Sequence, residues 1–292
     1  MTSQPSSACS PARSFRLGLI GGNIKETRSP ILHISCGLSH GRNVTYDLII
    51  PAERGEEFAA LLKQCEEAGF DGVNITYPFK EEAARLVPAG DPVVAAMGSA
   101  NTIKFTPQGP RAFNTDHSGF VAAYHARFGA VLPGRVLMLG TGGVGRAVAF
   151  GLADLGASEI VLFDLDASKA QSLAAAVEAH APVKVTLATP EMLHDLTGFD
   201  GAINCTPLGM VGRDGSPLPA GATGALRWGF DAVYTPIDTQ FRAEIEAMGA
   251  DFLNGYELYF HQGIDAFEIF TDLTVSETAW VRSIITHSPA KR

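Results

Sequence analysis

The chain has 292 residues, too long for a minimal domain and suited to two domains of ordinary size. With 46% hydrophobic and 18% charged residues it can bury packed cores, yet no apolar run is long enough to span a bilayer. A formal net charge of -9, not gathered in an acidic tail, excludes unaided binding to nucleic acid phosphates and reads as solubility charge.

Residues 1–14 are rich in Ser and Pro and lack the apolar centre of a secretion signal, so a disordered tail is expected. Arg13 without any acid leaves a short targeting peptide as the alternative. From there apolar runs alternate with helical patterns. Strands are predicted over residues 16–21, 44–50 and 72–76, with helices over 30–40 and 53–68 and a further helix starting over 80–86. A break near residues 117–133 reads as a hinge region. After the turn at Pro133-Gly134 come strands at 136–139, 160–163, 183–187, 201–205 and 229–233. Between and after them helices are predicted at 145–155, 167–180, 239–248, 256–270 and 276–285. This alternation predicts an α/β protein with parallel sheets covered by helices.

Gly140-Thr141-Gly142-Gly143-Val144-Gly145 sits directly after one apolar strand and directly before a helix. Glycines there allow a tight turn and a close approach of backbone N–H groups to a pyrophosphate, at a helix start that favours anions. The next strand ends in Phe163-Asp164, at the distance where a ribose-binding acid belongs. Asp164-Leu165-Asp166 carries two carboxylates and no arginine, and a carboxylate there repels a 2′-phosphate. NAD is therefore expected over NADP. The Gly18, Gly21 and Gly22 cluster lacks both the spacing and the acid, and reads as a loop of the first domain.

Cys9, Cys36, Cys65 and Cys205 form no CxxC pair and the eight histidines no HExxH pair, so no metal site is expected. Widely spaced thiols in a chain of this size point to a reducing, cytoplasmic compartment.

Three polar clusters stand at strand-to-loop transitions in the first half: Thr27-Arg28-Ser29-Pro30, Asn74 to Lys80, and Asn101-Thr102 with Asn114-Thr115-Asp116. Singly, each has a structural explanation. Thr27 or Ser29 serves as a helix cap, Lys80 as a surface lysine, and Asn101 and Asp116 as turn residues. Lys80 fits its explanation poorly, because a cation at a helix start opposes the helix dipole.

Together with Gly98 to Thr102, Gly140 to Gly145, Asn204 to Met210 and Gln262, these segments resemble the shikimate/quinate dehydrogenase family, from about residue 15 to about residue 285. The resemblance implies a substrate-binding α/β domain of residues 15–116, joined by C-terminal helices of 255–288, and a Rossmann-type doubly wound domain of 117–254. It implies oxidation of a ring hydroxyl of shikimate or quinate, with Lys80 and Asp116 flanking that hydroxyl. A lysine in a partly desolvated cleft can accept the hydroxyl proton, and Asp116 would orient it. Thr27, Ser29 and Thr76 would hold the carboxylate, and Asn101 and Gln262 the ring hydroxyls. Asn204, Thr206 and Met210 would lie on the nicotinamide side, with Gly255 and Tyr234 as further candidates there, Tyr234 also toward substrate.

Two departures stand out. Thr27 replaces a common serine, its methyl narrowing the pocket, and Asp164-Leu165-Asp166 replaces the Asn-Arg-Thr-like turn of NADP-linked members. A dehydrogenase for an aminated shikimate analogue and a non-catalytic dinucleotide sensor are the alternatives. Beyond the small-molecule substrate no nucleic acid or membrane partner is expected, and the assembly state is left at monomer or homodimer.

Overall fold

A computed structural model describes residues 13–287. The expected tail lies outside them apart from its last two positions, as do Cys9 and the end of the predicted C-terminal segment at residue 288.

The first sheet begins with β1 (Phe15–Ile20), continues through α1 (Ser29–Ser39) and pairs β1 in parallel with β2 (Val44–Ile49). The single helix expected over 53–68 is two, α2 (Pro51–Arg54) and α3 (Phe58–Glu67). Gly55 separates them with φ of 65°, a left-handed conformation that only glycine adopts at no steric cost. β3 (Gly72–Ile75) joins β1 on its other side, followed by α4 (Lys80–Leu86) and α5 (Pro92–Met97).

The sheet is not wholly parallel. β4 (Thr102–Lys104) and β5 (Arg111–Phe113), short strands with no periodic signal in the sequence, extend it antiparallel in the order β2-β1-β3-β4-β5. Three residues each are too few to show an alternation of period two.

The expected hinge is corrected as well. Residues 115–128 form α6 (Thr115–Phe128), capped by Asn114, whose side chain accepts from the backbone N–H of Asp116 and His117. Phe120 and Tyr124 are fully buried on this helix. Only residues 129–134, bounded by two glycines with positive φ, are irregular.

The second sheet is parallel throughout. It comprises β6 (Arg135–Leu139), β7 (Glu159–Phe163), β8 (Lys184–Leu187), β9 (Gly201–Asn204), β10 (Trp228–Asp231) and β11 (Asp251–Asn254). Their order, β11-β10-β9-β6-β7-β8, is that of the doubly wound dinucleotide fold, and it reverses between β6 and β9. α6, α7 (Gly143–Asp154) and α8 (Ala167–His180) pack one face through Phe120, Phe150, Leu173, Trp228 and Phe230. α9 (Gln240–Ala247) covers the other with Phe241 and Ile245 against Leu137, Leu139 and Val161.

α10 (Gly255–Thr271) and α11 (Thr278–His287) return to the first sheet. Phe260, Phe267, Phe270, Val281 and Ile285 pack with Leu17, Leu32 and Cys36 on one of its faces, and α3, α4 and α5 cover the other. No helix among the described residues is long and apolar enough to cross a membrane.

Because α6 is core, Phe120→Ala should cost about 3–5 kcal/mol of unfolding free energy, the usual loss for a buried phenylalanine. Urea denaturation monitored by circular dichroism checks this. A change below about 0.5 kcal/mol, typical of an exposed linker position, would contradict the packing.

Candidate active site

The glycine-rich turn lies at the point where the strand order reverses. Gly140 follows β6 with φ of 94°, and a β-carbon there would lie 2.8 Å from the backbone of Cys205 and Thr206. At Gly145 it would lie 2.3 Å from the Gly140 carbonyl oxygen. The turn is therefore closed against its own helix and against the loop after β9. At Gly142 nothing lies within 4 Å, so a ligand can approach the backbone there. The free N–H groups at the start of α7, from Gly143, Val144 and Gly145, suit an anion. A cavity of about 310 Å³ opens beside the turn, lined by Thr141, Gly142, Arg146, Ser168, Lys169 and Glu81 among others.

Asp164 stands at the end of β7. One carboxylate oxygen accepts from the Thr141 N–H at 2.7 Å and its hydroxyl at 2.8 Å, the other from the Asp166 N–H at 2.9 Å. Burial opposes its ionisation, but the bonds from Asp166 and Thr141 outweigh it and hold the carboxyl below its ordinary value. Lys169 stays 4.0 Å from Asp166. The turn, the free amides and the anionic acid fit a nicotinamide dinucleotide.

Lys80 opens α4 and Asp116 lies in the first turn of α6. Lys80 Nζ donates to Asp116 Oδ2 at 2.6 Å, with side chains only 13% and 8% exposed. A β-carbon at Gly143 would lie 3.3 Å from Lys80 Cδ, so the pair abuts the glycine-rich turn.

Around the pair runs a buried amide and hydroxyl network. Asn101 Oδ1 accepts from the Thr115 N–H at 2.7 Å and Asn101 Nδ2 donates to Thr115 Oγ1 at 3.1 Å. One amide hydrogen of Asn101 is left over. Asn74, which the sequence reading did not single out by itself, accepts from the Tyr46 hydroxyl at 2.8 Å and donates to Thr102 Oγ1 at 3.2 Å. Gln262 on α10 donates to the Tyr259 carbonyl at 2.9 Å, and α10 reaches this depth because α6 carries Gly119. A β-carbon at Gly119 would lie 2.7 Å from the Gln262 backbone nitrogen.

Thr27 and Ser29 face each other with hydroxyl oxygens 3.0 Å apart, and the Ser29 N–H donates to Thr27 Oγ1 at 3.2 Å. The Ser29 hydroxyl also faces the phenols of Tyr46 and Tyr259. Thr76 directly follows β3 with its methyl packed on Gly21. Tyr234 stacks on Tyr259 with ring centroids 5.2 Å apart, and the charges of Arg28 and Asp116 both reach its phenol.

The loop after β9 departs from expectation in one respect. Asn204 is fully buried and presents no free group toward a ligand. Its Oδ1 accepts from the Thr206 N–H and hydroxyl, and its Nδ2 donates to the Leu208 carbonyl and Asp231 Oδ1, both at 3.0 Å. Asn204 therefore shapes the loop that carries Thr206 and Met210, with Met210 44% exposed at its end. Gly255 likewise serves packing, since a β-carbon there would lie 2.5 Å from the Ala232 carbonyl oxygen. Burial pushes the Cys205 thiol up, with Asp231 and Asp116 adding to it, which favours the protonated form.

Asp231 was missed by the sequence reading. It ends β10, is 1% exposed, and accepts from Thr239 Oγ1 at 2.6 Å, the Val233 N–H at 2.9 Å and Asn204. The signal available was a lone acid closing an apolar strand in Phe230-Asp231-Ala232-Val233. Among the described residues no cluster of His, Cys, Asp or Glu is placed to hold a metal ion.

Residues 19–103 match the family model described as the shikimate dehydrogenase substrate binding domain. The quinate/shikimate dehydrogenase (NAD(+)) of Corynebacterium efficiens is 32% identical over 266 residues, 89% of this chain and 94% of that one. The shikimate dehydrogenase (NADP(+)) of an Arthrobacter species is 34% identical over 90% of this chain and 91% of its own. Among solved structures, quinate dehydrogenase from Corynebacterium glutamicum in complex with NAD superposes with a TM-score of 0.88. It shares 31% identity and covers 94% of this chain and 99% of that one.

The buried acid leaves a signature in stability. Burial pushes the Asp231 carboxyl up to about 6, against the bonds from Thr239, Val233 and Asn204. The folded state then binds the proton more tightly than the unfolded state, whose aspartates titrate near ~3.9. This group's contribution is most favourable below the unfolded value and is lost as pH rises through about 6. Between pH 4 and 7 the loss should be on the order of 2–3 kcal/mol, and Asp231→Asn should not show it. Urea unfolding of both proteins across that range checks this; parallel curves would contradict it.

Proposed function

The chain belongs to the shikimate/quinate dehydrogenase family, and we propose that it carries out the reversible, NAD-linked oxidation of a ring hydroxyl of shikimate or quinate to the 3-dehydro ketone. The observation that carries this reading is the 2.6 Å Lys80–Asp116 pair set against the dinucleotide turn at Gly143. When bound, the nicotinamide supplies the two-electron acceptor.

In this reading the substrate hydroxyl bonds to the Lys80–Asp116 pair, which takes its proton as the carbinol C–H bond breaks. Thr27, Ser29 and Thr76 hold the carboxylate, and the spare amide groups of Asn101 and Gln262 bond the other ring hydroxyls. Groups left unpaired by a deoxy analogue would disfavour it strongly, which makes such a site selective for the polyhydroxylated ring. Residues 15–116 with the two C-terminal helices would serve the substrate, and residues 117–254 the dinucleotide. Thr206 and Met210 would border the nicotinamide, on a loop held by Asn204.

The preference for NAD rests on Asp164, whose charge repels a 2′-phosphate, and is supported by the NAD-named relatives. The NADP-named relatives make it a point to be tested.

The test is steady-state kinetics with shikimate and quinate, each with NAD+ and NADP+. The wild type should reduce NAD+ with at least one acid, and Lys80→Ala should lower kcat by about 10²–10⁴ while retaining a native circular dichroism spectrum. Asp164→Ser should shift the NAD+ to NADP+ ratio of kcat/KM toward NADP+ by roughly ten-fold or more, one charge–charge contact's worth. Folded protein that binds NAD+ but turns over neither acid would overturn the proposed reaction.

A further inference from the structure

Among the buried polar groups without a partner, one faces Ser29. Tyr259, on the second turn of α10, is 5% exposed, and its hydroxyl has no hydrogen-bond partner among the described residues. An orphaned buried hydroxyl is a net cost to folding, so its retention calls for a reason outside the folded chain itself. A phenylalanine would fill the same volume without that cost.

The surroundings indicate the reason. The ring stacks on Tyr234 at 5.2 Å and 21°, and on the preceding turn Tyr256 lies 6.0 Å away. The hydroxyl itself faces the Ser29 side chain, whose oxygen is 3.0 Å from that of Thr27. Three hydroxyls thus meet, those of Thr27, Ser29 and Tyr259. Thr27 Oγ1 already accepts the Ser29 N–H, and a pair of facing hydroxyls can share only one hydrogen between them. One hydrogen of the Thr27–Ser29 pair and that of Tyr259 are therefore left to donate elsewhere, and Arg28, next in sequence to both Thr27 and Ser29, adds positive charge nearby.

We propose that the Tyr259 phenol is a further substrate-binding residue, donating to the carboxylate of the cyclic acid alongside Thr27 and Ser29. A carboxylate offers about four lone-pair positions in one plane and accepts only, which matches three converging donors. Burial, with the neighbouring tyrosines adding to it, holds the phenol far above its ordinary pKa, so it remains a donor across the working pH range. Tyr46, the other phenol facing Ser29, is already committed to Asn74 Oδ1 at 2.8 Å and is not available in the same way.

The inference rests on the proposed reaction, and Tyr259→Phe separates it from that reading. Wild-type and variant enzyme are compared for kcat and KM with shikimate, quinate and the analogue carrying a hydroxymethyl group in place of the carboxylate. Thermal unfolding of both proteins without ligand is measured alongside. The variant should raise KM for the acids about ten-fold or more, the weight of one hydrogen bond to a charged group, with a smaller loss in kcat. Both proteins should use the hydroxymethyl analogue equally poorly. Because the phenol is unpartnered, the ligand-free variant should melt at the same temperature or higher. Unchanged KM for an acid that the wild type turns over would overturn this inference alone. So would a KM rise equal for acid and hydroxymethyl analogue, or a lower melting temperature with no KM effect, which would mark a structural tyrosine. Failure of the wild type to use either acid would overturn both readings.

Discussion

A lysine and an aspartate, almost out of water and 2.6 Å apart, set the terms for everything around them. Removing two charges from water costs several kcal/mol per ion, and their attraction repays this only where geometry is good and the remaining hydrogen-bonding positions are met. Asp116 has the help of a helix N-terminus, where negative charge is favoured. Lys80 has the reverse, since it opens α4, where a cation opposes the dipole. A structure selected for stability alone would gain by replacing the pair with apolar side chains. Its presence at the mouth of a dinucleotide turn marks a site where a local rule yields to chemistry.

Keeping the pair in place falls to neutral amides rather than to further charges. Asn114 fixes the start of α6 by capping it while donating to the Ser99 carbonyl at 2.9 Å. Asn101 then clamps Thr115, the residue before Asp116, through both its backbone and its hydroxyl. On the other side of the cleft Asn204 and Asp231 do the same for the loop after β9, with each polar atom of the two side chains bonded. Buried networks of this kind are costly if any member is unsatisfied and rigid when all are met. The glycine-rich turn and the Lys80–Asp116 pair thus sit between two stiff frames.

Five of the six strands of the second sheet were legible as apolar runs, whereas β11, in which only Leu253 is buried, was not expected. Gly140 to Gly145 and Asp164 carry their roles in local spacing. The first sheet was legible only in part. β4 and β5 are three residues each and take their direction from pairing with β3, which no local pattern encodes. α6 escaped because half-buried His117 and Ser118 and exposed His125 and Arg127 interrupt the stripe marked by buried Phe120 and Tyr124. Asn204 was recognised as belonging to the site, but its burial depends on Asp231, 27 residues away, and spacing cannot reveal which of two polar residues faces inward. Tyr259 lies in a run of aromatic residues where an orphan hydroxyl looks the same as a core ring.

α6 also explains how two sheets can hold one reaction in register. Asp116 stands in its first turn, and Phe120, one turn on, is fully buried with its ring 5.1 Å from that of Phe230 in the second sheet. α7 accepts this helix closely because Gly151 has no side chain, and a β-carbon there would lie 2.8 Å from the Phe120 ring. The N-terminus of α7 is the dinucleotide turn itself. The spacing between the carboxylate and the free amides at the start of α7 is therefore set by a helix–helix contact in a packed core. Interiors packed to crystal-like density yield little, so this distance is held far more firmly than a loop between domains could hold it. Its capped end is meanwhile tied to the first sheet through Asn114 and Asn101. A helix packed in the second core and tied by its cap to the first sheet sets Asp116 and its partner Lys80 against the glycine-rich turn, and a flexible hinge at the same place in the chain would lose that register.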